Sequence, residues 1–185
     1  MFKRQKGFTL FEMLVVIAII AIISILVLAN YRQGQKTYAL EQSAQKLVSD
    51  IRQVQGMAIS GYKAPNFTTI GGYGVRIIDG NSYKIFLYNG SNPDGCPSGA
   101  ESDLGTFNFS TGVSIKEVKI YKGGSYTSYT GVAINGKHVF FRPPSPKTCI
   151  NDDANNEEIQ IVLTRTDTGA EITVSVTQYG KIDRQ

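Results

Sequence analysis

Tryptophan is absent from the 185 residues, histidine occurs once, cysteine twice and proline six times. Each scarcity closes off a class of chemistry. A lone His138, in a strand-like run with Val139, Phe140 and Phe141, cannot build a multi-histidine metal centre. No Ser/His/Asp set supports it as a catalytic base, so it reads as a structural or surface residue. Neither a phosphate-binding glycine loop nor a zinc-ligand spacing is present. No enzymatic activity, metal or cofactor is expected. The prolines begin at Pro65, so nothing before it forbids a long helix.

Charge is also scarce where it would matter for nucleic acid. The formal net charge is +4, from 19 Lys and Arg against 15 Asp and Glu. Three of the cations, Lys3, Arg4 and Lys6, precede Gly7, and without them 16 face 15. The basicity is thus mostly a feature of the N-terminal leader, and nucleic acid is not an expected partner.

The leader introduces the longest apolar run. From Phe8 to Ala29 the only polar residues are Thr9, Glu12 and Ser24. As a helix this segment would reach about 33 Å, enough for a bilayer's hydrocarbon core. The preceding cations place the N-terminus in the cytoplasm and the rest outside. Val27-Leu28-Ala29 offers a possible signal-peptide cleavage site, but the run is long for a secretory signal and Glu12 is out of place in one. In a plain anchor Glu12 would cost about 2–3 kcal/mol on insertion. A third reading gives the glutamate a partner. In an exported chain Cys96 and Cys149 suit a single long-range disulfide, the alternative being two buried thiols.

The stretch "KGFTLFEMLVVIAIIAIIS" resembles the N-terminal signature of the type IV pilin and type II secretion pseudopilin superfamily. The resemblance covers about the first 25 residues and implies cleavage between Gly7 and Phe8 by a prepilin peptidase, with N-methylation of Phe8. It places Glu12 at the family's acidic position, where it pairs with the Phe8 amine of a neighbouring subunit. It further implies other pilin or pseudopilin subunits and an inner-membrane assembly platform as partners. The expected location is the inner membrane, crossed once, with the head periplasmic or extracellular. Pilins of long filaments often carry a helix-breaking proline in this helix; this one has none, which leaves both a major and a minor subunit open, and a minor one is the expectation.

Beyond Ala29, Leu40, Ala44, Leu47, Ile51, Val54 and Ala58 recur at helical spacing, with Glu41, Gln42, Lys46, Asp50 and Arg52 largely off that stripe. The helix is expected to continue past Gly34 and end near Gly56 and Gly61, a break at Gly34 being the alternative. After Pro65 the period changes. Strands are expected at Tyr73–Ile78, Ser82–Tyr88, Phe107–Phe109, Val113–Tyr121, Gly131–Ile134, His138–Arg142, Ile159–Thr164 and Glu171–Thr177. Asn89–Leu104 and Pro143–Glu158 read as loops, each carrying one cysteine. The expected fold is α+β, a long helix on an antiparallel sheet, similar to the pilin fold. The expected divisions are a leader (1–7), a transmembrane helix (8–29), its amphipathic continuation (30–61) and a β-rich head (62–185). "LVSDIRQVQGMAISG", "GYGVRI" and "ITVSVTQYGKID" look most like H-type minor pseudopilins and their pilus counterparts.

Weaker signals remain. A recognition role at a pilus tip, for DNA, a surface or a secreted substrate, is the alternative reading. Lys181 and Arg184 are its candidate DNA contacts, although the segment departs from the Gly-Arg-x-Arg pattern of DNA-binding minor pilins: Lys181 replaces the first Arg, and Asp183 lies between the two cations. "NDDANNEE" (151–158) offers hard oxygen ligands without the glycine of a defined calcium loop and reads as a solvated loop. The Tyr/Ser/Gly-rich stretch from Tyr121 to Gly131 suits either an adaptable binding surface or a flexible hairpin. Asn66, Asn89 and Asn108 begin sequons, for which no glycosylation is assumed.

Overall fold

The computed structural model describes residues 9–65, 70–89, 96, 101–142 and 148–185, with the side chains of 26–36 excepted. It divides into two units, Met1–Thr37 and Tyr38–Gln185. One helix, α1 (Leu10–Ile59), contributes to both.

Within the first unit the helix carries exposed apolar side chains on every side. Leu10 is 85% exposed, Ile17 67% and Ile25 70%. A surface of this kind is stable only in lipid or against other apolar segments. Among the described residues, no helix is long and apolar enough to cross a membrane. The described side chains of this stretch stop at Ile25, short of the about 20 apolar residues that a span requires. The Ser24 hydroxyl donates to the Ile20 carbonyl at 2.8 Å, so this polar group is satisfied within the helix.

The second unit is α+β, with two antiparallel five-stranded sheets rather than one. The first contains β1 (Gly72–Asp79), β2 (Ser82–Tyr88), β3 (Glu101–Asn108), β6 (His138–Phe141) and β7 (Thr148–Ile150), in the order β3-β2-β1-β6-β7. The second contains β4 (Val113–Lys122), β5 (Ser125–Thr130), β8 (Glu158–Arg165), β9 (Glu171–Thr177) and β10 (Ile182–Arg184), in the order β10-β9-β8-β4-β5. The expected helical stripe is buried throughout, with Val48 added to it. It meets Tyr73, Val75 and Ile77 of β1 and Tyr83, Ile85 and Leu87 of β2 in a single core cluster. The same cluster takes in Ile159, Ile161 and Leu163 of β8 and Val174 and Val176 of β9. On β4 the buried residues are 113, 115, 118 and 120, and the change of phase is a bulge between Ile115 and Glu117.

Several expected elements differ. Gly131–Ile134 forms a 3₁₀ turn, not a strand. Gly131 has φ +57° and only Ile134 is buried, so the apolar letters do not alternate across a sheet. β7 and the first four residues of β3 lie in stretches expected as loops, β5 lies in the stretch read as an adaptable surface or a flexible hairpin, and β10 is additional to the expected strands. Cys149 is therefore in a strand.

Asp50 is not a surface residue. With Ser43, seven positions earlier, it borders the buried stripe and is 7% exposed. Its carboxylate accepts from the Tyr83 hydroxyl at 2.5 Å and from Lys46 at 3.1 Å. Burial, and secondarily this carboxylate, push the Tyr83 phenol well above the usual tyrosine range. The folded state therefore holds the Tyr83 proton to higher pH than the unfolded chain does. Its contribution is complete below about pH 10 and is lost above it at up to about 1.4 kcal/mol per pH unit. Urea titrations at stepped alkaline pH should show this slope, and Tyr83→Phe should remove it while costing about 2 kcal/mol at neutral pH.

Behind the first sheet lies a smaller cluster of Phe86, Phe140 and Cys149, flanked by Tyr88 and Cys96. Gly74 permits it: a Cβ there would sit 2.5 Å from the Phe86 ring and 2.7 Å from the Val139 carbonyl oxygen.

Candidate functional site

Helix α1 begins at a threonine. Thr9 Oγ1 accepts the Glu12 N–H at 3.2 Å, satisfying one of the orphan donors of the first turn. Thr9-Leu10-Phe11-Glu12 has the T-x-x-E spacing of a capping box. That spacing was available in the sequence, yet Thr9 was not among the candidate site residues. Glu12 is the acidic residue of the first turn, where the helix dipole favours a negative charge. Around it Leu10, Phe11, Met13 and Leu14 are all exposed. Over the described residues 9–25, Glu12 is the single ionisable side chain. Gly7 and Phe8 lie outside the described residues.

The other candidates are in the second unit. Cys96 and Cys149 are disulfide-bonded, with their Cα atoms 5.5 Å apart. Lys181 is paired with Asp183 at 2.5 Å, and Arg184 is ion-paired with Glu41. The same C-terminal segment is stitched to α1: Gln55 donates to the Gly180 carbonyl at 2.8 Å and Arg52 to that of Ile182 at 3.4 Å. These residues lock the last strand onto the helix.

The carboxylates of 151–158 are directed to separate protein partners. Asp152 faces His138 at 3.1 Å, Asp153 is ion-paired with Lys122, Glu157 accepts the Gly123 N–H, and Glu158 accepts from Tyr126. The Lys122 ammonium, then the Asn155 N–H, hold the Asp153 carboxyl below the usual carboxylate range. Among the described residues no group of three acidic, histidine or cysteine side chains could hold a metal ion. His138 is buried, with its ring edge-on to Phe86 at 6.0 Å and Nδ1 3.0 Å from the Gly136 carbonyl oxygen. Its ring nitrogens thus face the Gly136 carbonyl and the Arg76 guanidinium on one side and the Asp152 carboxylate on the other; no hydroxyl or thiol nucleophile is bonded to them among the described residues.

Residues 2–28 match the family profile of the prokaryotic N-terminal methylation motif. No curated protein and no solved structure matches the chain. The matched motif supports a prepilin-like subunit of the type IV pilin and pseudopilin class.

Proposed function

We propose that a prepilin peptidase cuts this chain between Gly7 and Phe8, that Phe8 is N-methylated, and that the product joins a filament through helix 8–29. The matched motif at residues 2–28 carries this reading. The exposed apolar surface of α1, with Glu12 alone in it, supplies the physical reason. Cleavage creates an α-amine with a reference pKa near 8, and a methylated amine remains basic. An ammonium and a carboxylate are each costly in apolar surroundings, but tolerable as a pair. Pairing Glu12 of one subunit with Phe8 of another would also set the axial stagger between helices, as a buried polar residue sets register in a coiled coil.

Lys3, Arg4 and Lys6 orient the segment with its N-terminus in the cytoplasm and residues 30–185 outside, crossing the inner membrane once. The partners are the peptidase, the inner-membrane assembly platform and other pilin or pseudopilin subunits. The machine is a type IV pilus or a type II secretion pseudopilus. The lack of proline in α1 and the H-type likeness of the head favour a minor subunit.

Mass spectrometry of the chain recovered from membranes tests the maturation. The expected N-terminus is N-methylated Phe8. An intact Met1, or a start at Asn30, would overturn the reading.

A further inference from the structure

Among the described residues, four strands lie at sheet edges: β3, β7, β10 and β5. Three are blunted in ways that discourage another chain from pairing with them. β3 carries Glu101 and Asp103, held by Arg76 and Lys84, and its register with β2 shifts beside Phe86. β7 and β10 have three residues each, and β10 includes Asp183 and Arg184. β5 is different. It reads Ser-Tyr-Thr-Ser-Tyr-Thr, without charge or proline, and its register with β4 is unbroken from Glu117↔Thr130 to Lys122↔Ser125. Every residue of it except Tyr129 is exposed.

The phase of its backbone follows from the turn. Gly123 and Gly124, with φ +56° and +91°, form a two-residue loop, which makes Lys122 and Ser125 a hydrogen-bonded pair. Alternation then directs the N–H and C=O groups of Tyr126, Ser128 and Thr130 away from β4, to the open edge. Their side chains are fixed on one face. The Ser128 hydroxyl donates to Glu117 at 2.6 Å, and the Tyr126 ring packs tilted against that of Tyr121 with centroids 4.8 Å apart.

This edge is complementary to itself. Two β5 strands set antiparallel with Ser128 opposite Ser128 place Tyr126 opposite Thr130 and Thr127 opposite Tyr129. Each tyrosine then meets a threonine, a favourable aromatic–β-branched pairing, on both faces of the strand. Open-edge groups meet open-edge groups, giving about six hydrogen bonds, and no charge faces another. Neighbouring registers are worse. Sliding two residues one way sets Tyr129 against Tyr129 and Thr127 against Gly131; sliding the other way sets Thr130 against Gly124 and Tyr126 against Ser128.

We propose that β5 pairs antiparallel with β5 of a second copy of this chain, about a two-fold axis at Ser128, to form one continuous ten-stranded sheet. This contact is separate from any packing through α1 and does not rest on the filament reading.

Single cysteines in the full chain, oxidised mildly in the membranes of expressing cells, test both the contact and its register. Cα atoms of a hydrogen-bonded antiparallel pair lie about 5.5 Å apart, within disulfide reach. Ser128→Cys is expected to give a reducible dimer absent from the wild type, at least about 10-fold more than Tyr126→Cys, which would face Thr130. Adding Thr130→Cys to Tyr126→Cys restores the cross-link. Ser128→Pro in that double variant removes an outward N–H without touching the β4 ladder and should abolish it. No dimer with Ser128→Cys, or equal dimer from Ser128→Cys and Tyr126→Cys, would overturn the proposal; the first result leaves the edge to a different strand or to solvent.

Discussion

Glu12→Ala is expected to remove the chain from assembled filaments while leaving the unit Tyr38–Gln185 folded. The argument is one of magnitude. If Glu12 neutralises the Phe8 amine of a neighbouring subunit, its loss leaves an ammonium unpaired in apolar surroundings. That costs about 2–3 kcal/mol per added subunit, or about 100-fold in each association constant. If Glu12 serves only the positive end of its own helix, the loss is about 0.3–1 kcal/mol, at most about 5-fold. Thr9 already caps that helix end, satisfying the Glu12 N–H, which leaves the carboxylate available for a second role.

The measurement is the amount of variant recovered in sheared or purified filaments against the amount in the membrane. Glu12→Asp keeps the charge on a shorter stem and should retain part of the assembly. Glu12→Gln keeps the shape without the charge and should behave like alanine. Cleavage after Gly7 lies upstream of the substitution and should persist, so the N-terminal mass separates an assembly defect from a processing one. Recovery of Glu12→Gln at wild-type levels would sink the charge-pairing idea.

The core was legible because its signals are periodic. The Leu40-to-Ala58 stripe of α1 and the alternating residues of β1, β2, β8 and β9 were visible in the sequence, and all contribute to one cluster. β5 carries no such signal. Its Ser-Tyr-Thr repeat buries neither face, so no alternation of apolar and polar residues marks it, and its strand character comes from pairing with β4. β7 and β10 have three residues, too few for a period to register. Asp50 lies off the stripe, and its burial was not legible: Lys46, four residues earlier on the helix, can be found by counting, but Tyr83 comes from β2 and cannot. At the N-terminus the local capping spacing was readable, whereas the proposed partner of Glu12 is on another subunit, so a single chain cannot display that pairing.

Breaking the Cys96–Cys149 bond should give the largest stability change within Tyr38–Gln185. The cysteines are 53 residues apart. In the chain-entropy model, releasing a loop of that length stabilises the unfolded state by about 4 kcal/mol. A domain's whole stability is about 5–15 kcal/mol, so this is a substantial part of it. The bond also has a local task. Cys149 is opposite Phe140 in the β6–β7 ladder, and Phe140 is opposite Gly74, which is opposite Phe86. The disulfide therefore closes one end of the row that builds the smaller cluster. β7 has a ladder partner on one side only, and the Thr148 N–H reaches the Gln178 carbonyl at 2.9 Å as a further tie. Cys96→Ala/Cys149→Ala should shift the urea midpoint down by about 2 M at a typical slope, and reductant should move the wild type equally. Hydrogen exchange should rise first at Thr148–Ile150 and then at the facing residues of β6. A midpoint shift equivalent to less than about 1 kcal/mol would mean that the loop is already constrained in the unfolded chain, and the entropic account would be wrong.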